Sequence, residues 1–192
     1  MEFLLLGTGA AEGWPAPFCV CEHCEQARKR GGPDIRSRSG ALLDDDLKID
    51  FCPDTVVQMQ RCGRSLVKVR SIVFTHQHSD HFVASELEWA ARPFTATPPP
   101  PVAIFGNQQV LDEIRRVFPE PGRTNLDLRL LRPFEKTTTP TGDTILPLPA
   151  DHVEGAFVLR ITRGGKSLFY GHDSGLYPPA TLDALSDGTK LD

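Results

Sequence analysis

Four side chains of metal-binding type stand within six residues: His76, His78, Asp80 and His81. Two histidines at i and i+2 on an irregular loop can turn both imidazoles to one side, and Asp80-His81 then add a carboxylate oxygen and a third nitrogen close by. This donor mixture suits borderline divalent ions such as Zn²⁺, Mn²⁺ or Fe²⁺. A loop of solvated polar side chains is the alternative, and it explains four ligand types in so short a run poorly. Two further ligand types follow at the ends of strand-like stretches, His152 in Pro149-Ala150-Asp151-His152 and Asp173 in Gly171-His172-Asp173-Ser174-Gly175. Asp50 and Asp151 are candidates to orient imidazoles through their second nitrogens, with turn or cap roles as the alternative. Neighbours on an extended segment point to opposite sides, so His172 is expected to face away from Asp173 or to support it from outside.

A second cluster is Cys19-Val20-Cys21-Glu22-His23-Cys24, which contains three of the five cysteines. The spacing is too tight for a disulfide framework. In a chain with no secretion signal, clustered thiols more often hold a metal than lie free on a loop. Cys52 and Cys62 stand apart among apolar residues and read as structural thiols.

These residues need a scaffold. Ser71 to Phe74 is a β-branched apolar run that ends at the histidine motif, so the motif lies at the C-terminal end of a strand. Before it, Phe3 to Leu6 reads as a strand, followed by an irregular Gly/Pro-rich loop that leads into the cysteine cluster. A hairpin spans Ala41 to Leu43 and Leu47 to Phe51 around Asp44-Asp45-Asp46. Asp54 is placed to cap a helix that runs to about Arg61 and stops at Gly63. After the motif, Phe82 to Ala90 has helical spacing, and Pro98 to Pro101 is a stiff connector. Strand signals at 102–105, 126–131, 144–148, 156–162 and 167–170 follow, with helices at about 108–118 and 178–185.

The chain has 192 residues, 40% apolar and 24% charged, which is ordinary for one globular domain spanning 1–192. A net charge of −4 provides no broad basic field, so extended nucleic acid is an unfavourable substrate. No apolar run is long enough for a signal peptide or a membrane span, and the expected location is the cytoplasm.

The order of these residues, a His-x-His-x-Asp-His loop followed by a lone histidine and then an aspartate, resembles the successive ligand motifs of the metallo-β-lactamase superfamily. That resemblance implies a four-layer αββα sandwich with its site at the strand ends. It further implies that His76, His78 and His152 hold one divalent ion, that Asp80 and His81 hold a second, and that Asp173 bridges them. Two such ions hold a hydroxide between them for in-line displacement. Asp80 is the residue expected to be indispensable for catalysis.

Gly7-Thr8-Gly9, together with Cys19-x-Cys21-x-x-Cys24, is similar to the PhnP-type cyclic phosphodiesterases of the superfamily. The subgroup implies a structural zinc on Cys19, Cys21 and Cys24, and a small or cyclic phosphate diester as substrate. His23 is too tightly tethered to serve as the fourth ligand. The tRNA-processing branch carries a long Gly/Pro-rich arm where this chain has only a short proline run. A PqqB-like cofactor-biosynthesis protein shares the cysteine loop. An inert metal-binding chain is the non-enzymatic alternative. The resemblance also implies late histidines for the second ion and for the zinc, and none follows Asp173. The expectation is therefore a C-terminally incomplete domain, completed by a homodimer or by a complementing C-terminal fragment.

Overall fold

The computed structural model describes residues 1–120 and 124–192. Six strands form one sheet in the order β1 (Phe3–Gly7), β2 (Gly40–Leu43), β3 (Leu47–Ile49), β4 (Ser71–Val73), β5 (Val102–Gly106) and β6 (Leu126–Leu130). The first three are antiparallel, and β3 to β6 run parallel. The second sheet is antiparallel and consists of β7 (Thr137–Thr138), β8 (Thr144–Pro149), β9 (Phe157–Arg163) and β10 (Lys166–Tyr170), in the order β10-β9-β8-β7.

Alternation along the strands sorts the apolar side chains into layers. Leu43, Leu47, Ile49, Val73 and Phe105 meet Ile145, Leu159, Ile161 and Tyr170 from the opposing sheet in one buried cluster. Leu42, Ile72 and Ile104, on the other face of the first sheet, pack under α3 (Gln108–Val117) through Val110, Leu111 and Ile114. Leu146, Leu148 and Val158 are covered by Tyr177 and by Ala184 and Leu185 of α4 (Pro179–Leu185). The expected order of layers, helices over sheet over sheet over helix, is the architecture observed.

Three local expectations need correction. No helix is expected between the Gly/Pro-rich loop and the hairpin, yet α1 (Glu22–Arg30) stands there and contains Cys24. Glu22 and Glu25 in its first turn and Arg28, Lys29 and Arg30 in its last complement the helix dipole, and Gly31 ends it. Asp54 precedes α2 (Thr55–Cys62) but makes no side-chain cap, because its carboxylate accepts from Arg38 Nε at 3.1 Å and from another guanidinium nitrogen at 3.0 Å. The stretch after the histidine motif is a 3-10 helix over Ala84–Ala90, not an α-helix from Phe82, since Phe82 bridges to Phe51. Among the described residues, no helix is long and apolar enough to cross a membrane.

Candidate metal centre

The parallel strands β3 and β4 end side by side, and the two segments leaving them build one half of the site. Strand β4 delivers Thr75 and the loop His76 to His81, and β3 delivers Asp50. The other half comes from the second sheet: His152 lies between β8 and β9, and Asp173 follows β10. The sheets are joined at this end by a hydrogen bond from Phe157 N to the Thr75 carbonyl at 3.0 Å.

All six expected residues meet. His76, His78 and His152 offer nitrogens within 4.8 Å of one another, as do His76, His81 and Asp173 with their own ligand atoms. His78 Nδ1 and His152 Nε2 are 3.1 Å apart. Asp80 Oδ2 is 3.3 Å from His81 Nε2, on the side where Asp173 Oδ2 approaches to 2.9 Å. The same Asp173 oxygen is 3.7 Å from His76 Nε2 and 3.9 Å from His152 Nε2.

Hydrogen bonds fix which ring nitrogens are free. Thr75 Oγ1 lies 3.0 Å from Asp50 Oδ2 and 3.0 Å from His76 Nδ1. The hydroxyl has one proton, and the carboxylate can only accept, so the hydroxyl donates to Asp50 and accepts from His76 Nδ1–H. This assignment follows from the network of partners. It leaves His76 Nε2 as a bare lone pair, buried and, among the described residues, without a hydrogen-bond partner. Such an atom is costly unless something electrophilic satisfies it. His81 is oriented in the same way, with Nδ1 at 2.8 Å from Asp50 Oδ2 and Nε2 turned to Asp80 and Asp173.

The electrostatics match this arrangement. Burial, helped by the charge on neighbouring His81, pushes His76 down to about 3, so its ring is neutral. Burial opposes the charged form of His81 as well, but its bonds to Asp173 and Asp50 prevail and raise it to about 10. Bonds from His172 and His81 hold Asp173 well below the usual carboxylate range. His81 thus carries, in the ion-free chain, the positive charge that the surrounding carboxylates demand. The donor set and the orphaned His76 Nε2 fit divalent ions.

Asp50 and Asp173 both have left-handed backbones, with φ of 56° and 55°. For residues other than glycine this costs about 1–2 kcal/mol each, and such strain concentrates at functional sites. Of the two expectations for His172, the geometry matches support of Asp173 from outside and not the one of facing away. The bend at Asp173 breaks strand alternation, and His172 stacks on His81 with ring centroids 5.0 Å apart and Nδ1 3.3 Å from Asp173 Oδ1. The main chain of Asp151 binds Ser174 Oγ and Gly175 N, closing the turn beneath Asp173, and among the described residues the hydrogen-bond partner of the His152 ring is His78. Sequence reasoning missed Thr75 and Asn107. Asn107 Nδ2 donates to Gln77 Oε1 at 3.1 Å and to the Gly155 carbonyl at 2.9 Å, tying the histidine loop to the His152 loop.

Cys19, Cys21 and Cys24 also converge, with sulfurs within 4.8 Å of one another and Cys24 buried. Burial raises the Cys24 thiol, whereas the Cys24 main-chain hydrogen bond lowers Cys21. Among the described residues, no fourth ligand joins this group, and His23 stays outside it.

Residues 47–191 match the profile of the beta-lactamase superfamily domain. None of the curated proteins matches the chain by sequence. Among solved structures, the chain is similar to a diphosphatase from the PhnP family, at 23% identity and a TM-score of 0.71, over 95% of this chain and 69% of that one. It is also similar to Zn²⁺-bound PqqB from Methylobacterium extorquens, at 16% identity and a TM-score of 0.69, over 88% of this chain and 64% of that one. Human tRNase Z, short form, aligns at 18% identity and a TM-score of 0.62, over 96% of this chain and 73% of that one. The chain thus spans less than two thirds of the PqqB length. With the profile match covering both strand-end ligand groups and the four layers in place, this chain belongs to the metallo-β-lactamase superfamily.

Proposed function

We propose that the chain is a metal-dependent hydrolase acting on small or cyclic phosphate diesters. One divalent ion would be held by His76, His78 and His152, a second by Asp80 and His81, with Asp173 between them. The observation that carries this reading is the position of Asp173 Oδ2, a single oxygen 3.7 Å from His76 Nε2 and 2.9 Å from His81 Nε2. One carboxylate therefore reaches both groups of nitrogens, as a shared ligand must. When bound, two divalent ions supply Lewis acidity towards phosphoryl oxygens and make water a nucleophile at neutral pH. The chain's own residues do the rest. Asp50 keeps Nδ1 of His81 engaged, so that only Nε2 faces the site. Thr75 does the same for His76, and the burial of His76, His81 and Asp80 keeps solvent from competing for the ligand atoms. The likeness to a diphosphatase supports attack at phosphorus over other hydrolytic reactions.

Hydrolysis of bis(p-nitrophenyl) phosphate by protein loaded with Zn²⁺ or Mn²⁺ tests the proposal. The expected result is turnover that falls at least about a thousandfold (~4 kcal/mol of barrier) in Asp80→Ala. Turnover undiminished in that variant sinks the reading, and strong salt-dependent RNA binding would instead favour a ribonuclease. We further propose that Cys19, Cys21 and Cys24 hold a structural zinc, since three thiolates in this proximity suit Zn²⁺. Elemental analysis should find one zinc fewer per chain in Cys24→Ser than in the parent protein, and an unchanged content would refute the assignment.

A further inference from the structure

We infer that Lys48 is a positioning residue for the metal centre, whose buried ammonium holds the main-chain bend that aims the Asp50 carboxylate at His81 and Thr75. The inference rests on the reading of His81 as a ligand.

Lys48 lies on β3 opposite Leu42, on the face turned to the helices, and has no solvent exposure. A buried ammonium is unfavourable unless its protons are bonded. Its Nζ donates to the Asp50 carbonyl at 2.6 Å and to the Ile49 carbonyl at 3.1 Å. Among the described residues, no carboxylate side chain pairs with it, so its donors are directed at the last carbonyls of β3 and the bend beyond. Burial lowers Lys48 to about 8, which leaves it mostly charged at neutral pH. Gly40 lies close by, and a Cβ there would crowd Nζ at 3.1 Å.

The bend that this ammonium grips is the left-handed one at Asp50. Asp50 is fixed on three sides: its N–H donates to the Val73 carbonyl at 2.9 Å, its carbonyl accepts from Lys48, and its carboxylate meets Thr75 and His81. Loss of the Lys48 contact frees the carbonyl to rotate, and the carboxylate moves with it. Removing the ammonium leaves the Ile49 and Asp50 carbonyls without this donor, which costs stability by itself, so the test reads quantities that a general loss of stability does not move.

Lys48→Met keeps the volume and removes the donors. Two measurements apply to it: divalent-ion affinity by competition with a chromophoric chelator, and the downfield proton resonance of His81 Nδ1–H in the ion-free protein. The affinity of the ion site that includes His81 is expected to fall about ten- to a hundredfold, as for other supporting partners of ligands, and the His81 resonance to broaden by exchange. Leu42→Ala, which opens the neighbouring core position, should lower the melting temperature and leave both readouts in place. Wild-type affinity and an unchanged His81 resonance in Lys48→Met overturn the inference. If the parent protein takes up no second ion, the two-ion reading fails by itself, and the His81 resonance still decides the role of Lys48. Should Lys48→Met not fold, Lys48→Gln, with a shorter and uncharged donor, is judged by the same two readouts.

Discussion

At the scale of single residues, the site is governed by which atom of each side chain is already engaged. His76 and His81 each have Nδ1 tied back, through Thr75 or directly, to the one buried carboxylate of Asp50. Asp50 therefore sets two ligands at once. Asp50→Asn keeps the shape but loses the charge and one acceptor, so both rings gain rotational freedom. The expected outcome is a ten- to hundredfold loss of divalent-ion affinity, on the order found for outer partners of metal ligands, read by competition titration against the parent protein. Affinity that stays unchanged would show that the rings are set by packing alone.

At the scale of elements, Asn107 does two jobs at the start of α3. Its Oδ1 accepts from Val110 N at 2.9 Å, capping the helix, while its Nδ2 spans Gln77 and Gly155. Asn107→Ala should cost about 1–2 kcal/mol of stability from the lost cap, measured by urea denaturation, and should also weaken ion binding at the His76, His78 and His152 group. Asn107→Asp retains the capping oxygen but not the two donors, so it should recover the stability without recovering the affinity. The same residue shows where sequence reading reached its limit. His76 to His81 were legible because the ligand types sit within one short loop, and His152 and Asp173 because strand-like runs precede each of them. The strands themselves were legible from apolar runs punctuated by glycine, proline and aspartate. Thr75 and Asn107 were not legible, since each acts through contacts between segments far apart in sequence, and Lys48 was not, because no local pattern marks a strand lysine as buried and turned back on the carbonyls of Ile49 and Asp50. Helix α1 is marked by local signals, its acidic start, basic end and terminal glycine.

At the scale of the whole molecule, the two sheets carry separate halves of the site and meet again at the far end of the sandwich. There, Arg163 at the end of β9 donates to Asp143 at 2.6 Å, to Asp46 at 2.6 Å and to Asp44 at 3.0 Å, the last two on the hairpin between β2 and β3. Burial opposes the charged form of Asp143, but its bonds to Arg163 prevail, holding it below the normal carboxylate value, and the same bonds raise Arg163. Depression of a folded-state carboxylate means stability that is present above the unfolded value, about 3.9, and lost as pH falls through the lower folded value. Arg163→Met should therefore cost about 3 kcal/mol at pH 7, and the gap to the parent protein should close in acid when urea denaturation is repeated below pH 3. A gap that persists there would place the effect in packing and not in charge. The Arg163 cluster works like the spring of a clothes-peg, closing one end of two rigid leaves so that the gap between their tips is set in advance. His152 and Asp173 on one leaf then stand at a fixed span from His76 and His81 on the other, before any ion arrives to join them.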